Sequence, residues 1–197
     1  MSLDAGDYKF KLCDFEHPSL LFVLEDVLKS LIGLPLLYNP YVKSYGLKGN
    51  ERVLDFGCGG GTGSQCLAGY LNRGGRLTCV DISRYWVEKT KKRLARYANV
   101  ECRVGDIREL DMDGASFDVI SIIHVLHDIA PADRQATVQA LSRVLKTGGR
   151  VFVREPTKKS HGMAVGEIRR LFAAAGLVET ESKETKSEYI GRYQKPG

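Results

Sequence analysis

The sequence predicts an α/β protein: a doubly wound, mostly parallel seven-stranded sheet with a C-terminal antiparallel hairpin and an N-terminal helical cap. Three observations predict it. From Glu51 onward, short apolar runs alternate with amphipathic stretches in the order βαβαβ, then βαβ. The middle runs are apolar on both faces, as strands of a parallel sheet covered by helices read. A glycine-rich bend follows the first run, and five of the chain's 21 glycines fall between Gly57 and Gly63.

Residues 1–48 stand apart from the rest. They hold Pro18, Pro35 and Pro40, three of six prolines, and many aromatics. Ser19 is placed to cap a helix over 20–32 closed by Gly33, with apolar positions 20, 21, 24, 27, 28, 31 and 32 on one stripe. A second short helix is expected over 40–45. Residues 1–48 are therefore read as a helical cap on the substrate side, and 49–197 as the main domain of one structural unit.

In the main domain, strands are expected over 52–56, 76–80, 100–104, 117–123 and 150–154. Helices are expected over 62–71, 84–97, 132–145 and 163–175. Lys146-Thr147-Gly148-Gly149 breaks the third of these, and Gly176 stops the last. The tail alternates over 177–182 and 187–193 and reads as a closing hairpin.

A chain of 197 residues with 43% apolar and 27% charged residues can bury one sizeable core. The net charge of +5 is too small to signal nucleic-acid binding. The run Leu20 to Leu24 meets Glu25, Asp26 and Lys29, so no membrane span is expected. Five cysteines without a CxxC pair suggest neither a zinc framework nor disulfides. The chain reads as reduced, soluble and cytoplasmic.

The bend Val53 to Ser64 (VLDFGCGGGTGS) lets a ligand approach bare backbone and opens a helix N-terminus toward it. The dinucleotide fingerprint GxGxxG fails there: counting from Gly57, Gly59 or Gly61, the last position is Thr62, Ser64 or Cys66. Asp55 precedes the first glycine by two residues. Its carboxylate opposes a diphosphate and suits an ammonium, so a zwitterionic or cationic ligand end is expected. Asp81 ends the second strand, where an acid can accept from ribose hydroxyls. Asp106 follows the third strand, placed for an exocyclic amine, with Ile107 packing on a base.

VLDFGCGGGTG, VDIS, GDI, FDVISIIHVLHDI and LKTGGRVFVREP, in that order, resemble a class I S-adenosylmethionine-dependent methyltransferase over 51–156. Within that family the nearest likeness is to small quinone-biosynthesis C-methyltransferases. The resemblance implies a Rossmann-like fold, S-adenosylmethionine as cofactor and methyl transfer to a small-molecule acceptor. By it, Asp55, Gly57, Gly59 and Gly61 form the methionine-end loop, and Asp81 binds ribose. Ile82 packs on adenine, Asp106 and Ile107 take its edge, and 122–124 floors the sulfonium, with His124 against the cofactor. Simpler roles stand beside these: Asp55 tying loop N–H groups, Asp106 making turn bonds.

For the chemistry itself the candidates are His127, His124 and Glu155. His127-Asp128 resembles the LHD element of O-methyltransferases, but the base histidine of those enzymes has no counterpart in 132–135. His127 is thus a base or a brace for the strand end. Glu155 orients a substrate or ends a strand. His124 and His127 stand three apart, yet no further ligand cluster accompanies them in sequence, so no metal site is expected. Tyr38, Tyr41, Phe10 and Phe15 are candidates for a substrate wall, or merely pack the cap. The Asn/Asp-Pro-Pro element of amine methyltransferases is absent, and the basic residues of 84–96 read as a solvated face. A non-catalytic cofactor-binding module and an RNA or protein methyltransferase are the other readings. The oligomeric state is not legible.

Overall fold

The computed structural model describes residues 36–158 and 160–197. The expected helix over 20–32, Phe10 and Phe15 lie outside the described residues. Described helices are α1 (Asn39–Lys43), α2 (Thr62–Tyr70), α3 (Arg84–Leu94), α4 (Pro131–Val144) and α5 (Val165–Ala174). Strands are β1 (Arg52–Phe56), β2 (Arg76–Asp81), β3 (Val100–Val104), β4 (Phe117–Ile123), β5 (Leu145–Lys158), β6 (His161–Gly162), β7 (Val178–Glu184) and β8 (Glu188–Gln194). A single 3-10 turn, Leu126–Asp128, follows β4.

The sheet runs β3-β2-β1-β4-β5-β8-β7. The pairs among β1 to β5 are parallel, and β8 pairs antiparallel with both β5 and β7. The chain winds outward from β1 to β3, then returns to the other side of β1 as β4 and β5. The crevice at the carboxyl ends of β1 and β4 is the place where such a sheet opens to a ligand.

Alternation along β1 sends neighbours to opposite faces. Leu54 and Phe56 join a core with Val138 and Leu141 of α4 and Ile168 and Phe172 of α5. Val53 faces a second core with Leu67 of α2, Leu77, Val119, Phe152 and the aromatic pair Tyr41 and Tyr45. Each fully buried leucine or phenylalanine side chain contributes about 1.5–3 kcal/mol relative to exposure. Helix α3 begins where Ser83 Oγ accepts from the Trp86 N–H at 3.3 Å, a side-chain cap. It buries Trp86, Val87, Thr90 and Leu94 and turns Lys91 and Glu88 outward as an exposed ion pair, as the solvated-face reading expects.

Two expectations change. The glycine break does not precede the fifth strand but bulges within it: Phe117 pairs with Leu145, then Val119 with Arg150. Gly148, at φ 76°, supplies the left-handed turn that the detour requires. Beyond Arg154, where the expected strand ends, the strand continues to Lys158 and folds back through β6; this ribbon adds an eighth strand off the main path. No described helix is long and apolar enough to cross a membrane.

Candidate active site

A cavity of about 410 Å³ opens along the carboxyl ends of β1, β2 and β4, within the range of small-ligand sites. Asp55, Gly57, Gly59, Asp81, Ile82, Asp106, Ile107 and His124 all line it. Three carboxylates from three adjacent strand ends thus face one space.

The loop after β1 is held from both sides. Gly57 and Cys58 donate their N–H groups to Val80 O at 2.8 and 3.0 Å. Thr90 Oγ1 of α3 donates to Gly59 O at 2.6 Å. A Cβ on Gly57, at φ 72°, would stand 2.4 Å from Val125, so the neighbouring turn packs on bare backbone. Gly59, at φ 49°, has nothing within 4 Å of where its Cβ would be and turns that open face to the cavity. Gly61 departs from the expected role. It does not line the cavity; its Cβ would meet Thr90 at 2.7 Å, so it packs α2 against α3 and begins α2 in a left-handed conformation.

Asp55 is buried and accepts from Ser64 Oγ, not from loop N–H groups. Burial pushes its pKa up to about 6, against the pull of the Ser64 hydroxyl. A buried acid kept near neutrality gains most from a cation brought beside it. Asp81 accepts from Gly59 N–H at 2.8 Å through Oδ2 and from Ser83 N–H at 3.0 Å through Oδ1. These two bonds orient the carboxylate before any hydroxyl arrives. Ile82 is 64% exposed at the cavity rim, apolar surface suited to the face of a base.

Asp106 makes the turn bond as well, accepting from Arg108 N–H at 2.9 Å. Arg108 also clasps it with Nε and Nη2 and reaches Asp133 with Nη1. The arginine beside Asp106 holds its carboxyl below the ordinary carboxylate range. Arg108 and Asp133, not singled out in the sequence, line the same cavity, as does Asp128 of the LHD element. Ile107 is buried and closes the floor from the core side. The expected floor 122–124 is partly corrected: Ile122 faces the core, while Ile123, His124 and Val125 line the cavity.

The three candidates for chemistry separate. Glu155 is fully buried, and its carboxylate is spent on structure. Oε1 accepts from the Val125 and Leu126 N–H groups at 2.8 Å each, and Oε2 meets His127 Nδ1 at 2.8 Å. It therefore does not orient a substrate. His127 is the brace of the two readings: its side chain is 6% exposed, and it is not among the cavity-lining residues. Burial pulls its pKa down, but Glu155 outweighs burial and raises it.

His124 remains at the cavity, in a left-handed conformation (φ 57°) that non-glycine residues seldom adopt. Its Nε2 meets Glu188 Oε1 at 3.0 Å, and Arg154 Nε donates to the same oxygen at 2.7 Å. Burial raises Glu188, but His124 and Arg154 prevail and hold its pKa near about 2. Of the wall candidates, Tyr38 lines the cavity. Tyr41 does not; it packs edge-on against Tyr45 at 5.1 Å under the Arg154 guanidinium.

Sequence reading also missed His161, whose ring lies 4.7 Å from that of His127. Its signal, like that of Glu188, exists only once β6 and β8 are paired with β5.

The family model described as "Methyltransferase domain" matches residues 53–149. The demethylmenaquinone methyltransferase of Staphylococcus aureus is 30% identical over 117 residues, 59% of this chain and 48% of that protein. The chain spans less than half the length of the first curated relatives it matches. A SAM-dependent methyltransferase structure from Aquifex aeolicus superposes with a TM-score of 0.74 at 18% identity, covering 88% of this chain and 97% of that one. The 1,6-didemethyltoxoflavin-N1-methyltransferase of Burkholderia thailandensis, solved with 1,6-didemethyltoxoflavin and S-adenosylhomocysteine, gives 0.69 at 18% identity, covering 89% and 83%. These structural likenesses speak to the fold.

Proposed function

We propose that the chain, whose residues 53–149 match the family model described as a methyltransferase domain, is a class I S-adenosylmethionine-dependent enzyme that moves the methyl group of S-adenosylmethionine to a small-molecule acceptor, leaving S-adenosylhomocysteine. The observation that carries this reading is the convergence of Asp55, Asp81 and Asp106 on one crevice beside an open glycine backbone. Three carboxylates repel a diphosphate and suit a ligand with an ammonium, two hydroxyls and an amine.

Asp55 and the loop Gly57 to Gly61 would hold the amino-acid end, with Gly59 in contact and Gly61 keeping the loop in shape. Asp81 would accept from the ribose, Ile82 and Ile107 would sandwich the base, and Asp106 would take its amine, displacing part of the Arg108 clasp. When bound, S-adenosylmethionine supplies a methyl group already activated by its sulfonium. The chain's own task is then to align an acceptor and exclude water. Residues 1–48 are the proposed substrate-side wall, with Tyr38 its described contribution.

His124 is the candidate to meet the acceptor, oriented by Glu188. The curated S. aureus relative is named for a demethylmenaquinone, which supports a small and apolar acceptor here.

The test is incubation with methyl-radiolabelled S-adenosylmethionine and fractionated small-molecule, RNA and protein extracts. Label is expected in the small-molecule fraction. Label only in RNA or protein overturns the substrate class, and tight cofactor binding without any transfer favours a non-catalytic module.

A further inference from the structure

At the acceptor end of the crevice, the turn after β4 and the β5–β6 ribbon bring together His127, Asp128 and His161, one ligand atom from each lying within 4.8 Å of the other two. We propose that these three side chains form a binding site for a divalent transition ion of the zinc type. The proposal does not depend on methyl transfer.

The first argument is the orientation of His127. Glu155, fully buried, accepts at Oε2 from His127 Nδ1. That bond fixes the ring and, in the neutral imidazole, leaves the Nε2 lone pair pointing outward. Nε2 then faces Asp128 Oδ1 at 3.4 Å. An acceptor facing an acceptor is repulsive unless positive charge lies between them. Two ligand atoms on one tetrahedral ion, with bonds of about 2.0–2.2 Å, stand roughly 3.4 Å apart, so the observed separation is already that of a shared ion.

A proton on Nε2 would also relieve the repulsion, but a proton needs no third partner. His161 supplies one. Its ring lies edge to face with that of His127, 80° between planes, and one of its nitrogens lies within 4.8 Å of the other two ligand atoms. The third argument is the layer behind. A buried carboxylate on the far nitrogen of a histidine is the usual support of a metal ligand, and Glu155 is held in turn by two backbone N–H groups. Arg134, which lies beside His127, spends its guanidinium on His127 O, Ile129 O and the Glu167 carboxylate. Two imidazoles and one carboxylate suit zinc and its neighbours and leave a coordination position open. Asp128 lines the cavity, so that position lies beside the acceptor.

The test is titration of metal-stripped, tag-free full chain with zinc chloride by calorimetry. One ion per chain is expected. His161→Ala and Asp128→Asn should each weaken binding at least tenfold, and Glu155→Gln between about tenfold and 100-fold. His161 and Asp128 are exposed, so these variants keep the fold, checked by circular dichroism. His161→Cys, which restores a ligand, should recover most of the affinity. With cobalt in place of zinc, visible absorption should change on His161→Ala and stay unchanged on His124→Ala. No binding, or binding that survives both His161→Ala and Asp128→Asn, overturns the proposal.

Discussion

At the cofactor end of the crevice each carboxylate stands at its own strand tip and bonds largely to nearby residues, Asp55 to Ser64, Asp81 to Ser83 and Gly59, Asp106 to Arg108, although Ser121 of β4 also reaches Asp55. At the acceptor end the corresponding bonds span 28 residues or more, from His127 to Glu155 and from His124 to Glu188. The difference separates two kinds of group. The first end draws mainly on local βα turns, with Val80, Thr90 and Val125 holding the glycine loop from neighbouring elements. The second exists only after the sheet is assembled, since long loops must close before its partners meet. Substitutions of the more exposed cofactor-end acids, Asp81 and Asp106, should therefore act mainly on affinity, those at the acceptor end mainly on stability, and the buried Asp55 on both.

The largest expected effect tests that division directly. Glu155→Ala removes a buried carboxylate from one imidazole and two N–H groups, and should cost about 3–5 kcal/mol in urea unfolding. A loss below about 1 kcal/mol would show the acceptor end to be as local as the other.

Next comes Asp55. Its folded-state pKa of about 6 lies above the ordinary carboxylate value, so folding takes up a proton. This group's contribution to stability is greatest in acid and declines as pH rises from about 4 to about 6, by on the order of 2–3 kcal/mol. Asp55→Asn should remove that slope and be the more stable protein at pH 8. S-adenosylmethionine affinity should move the opposite way, improving in the unsubstituted protein as Asp55 ionises. Melting curves and titrations across pH check both signs; parallel trends would remove the ammonium role from Asp55.

Asp81→Ala should weaken S-adenosylmethionine binding by about 1.5–3 kcal/mol, the range for hydrogen bonds to a charged group. Unchanged affinity by calorimetry would refute the ribose assignment. The smallest effect is expected at Arg108, whose side chain competes for Asp106. Arg108→Ala should improve cofactor affinity slightly, as expected when a solvent-screened ion pair is removed, and a weakened affinity would instead make Arg108 part of the site.

The same division explains what could be read from sequence. Gly57, Asp55, Asp81 and Asp106 were legible because each announces itself beside the strand end it serves, and the alternation of elements places those ends on one edge. The share of Gly61 in the loop was less legible, because a glycine that packs against Thr90 looks, in sequence, like one that meets a ligand. Ile122 was placed one step wrong along a strand whose sides alternate. Glu155, His161 and Glu188 carry no local pattern at all. Their roles follow from register, Glu155 against Tyr189 and Pro156 against Glu188, and from a ribbon that the sequence reads as a loop.

That register has a further consequence. The last strand of the chain, far from the glycine bend in sequence, delivers Glu188 to the histidine at the crevice mouth. Exchange of a few tail residues could then retune which acceptors are admitted while leaving the nucleoside pocket untouched, so that one inherited engine could serve successive chemistries by revision of its final hairpin alone.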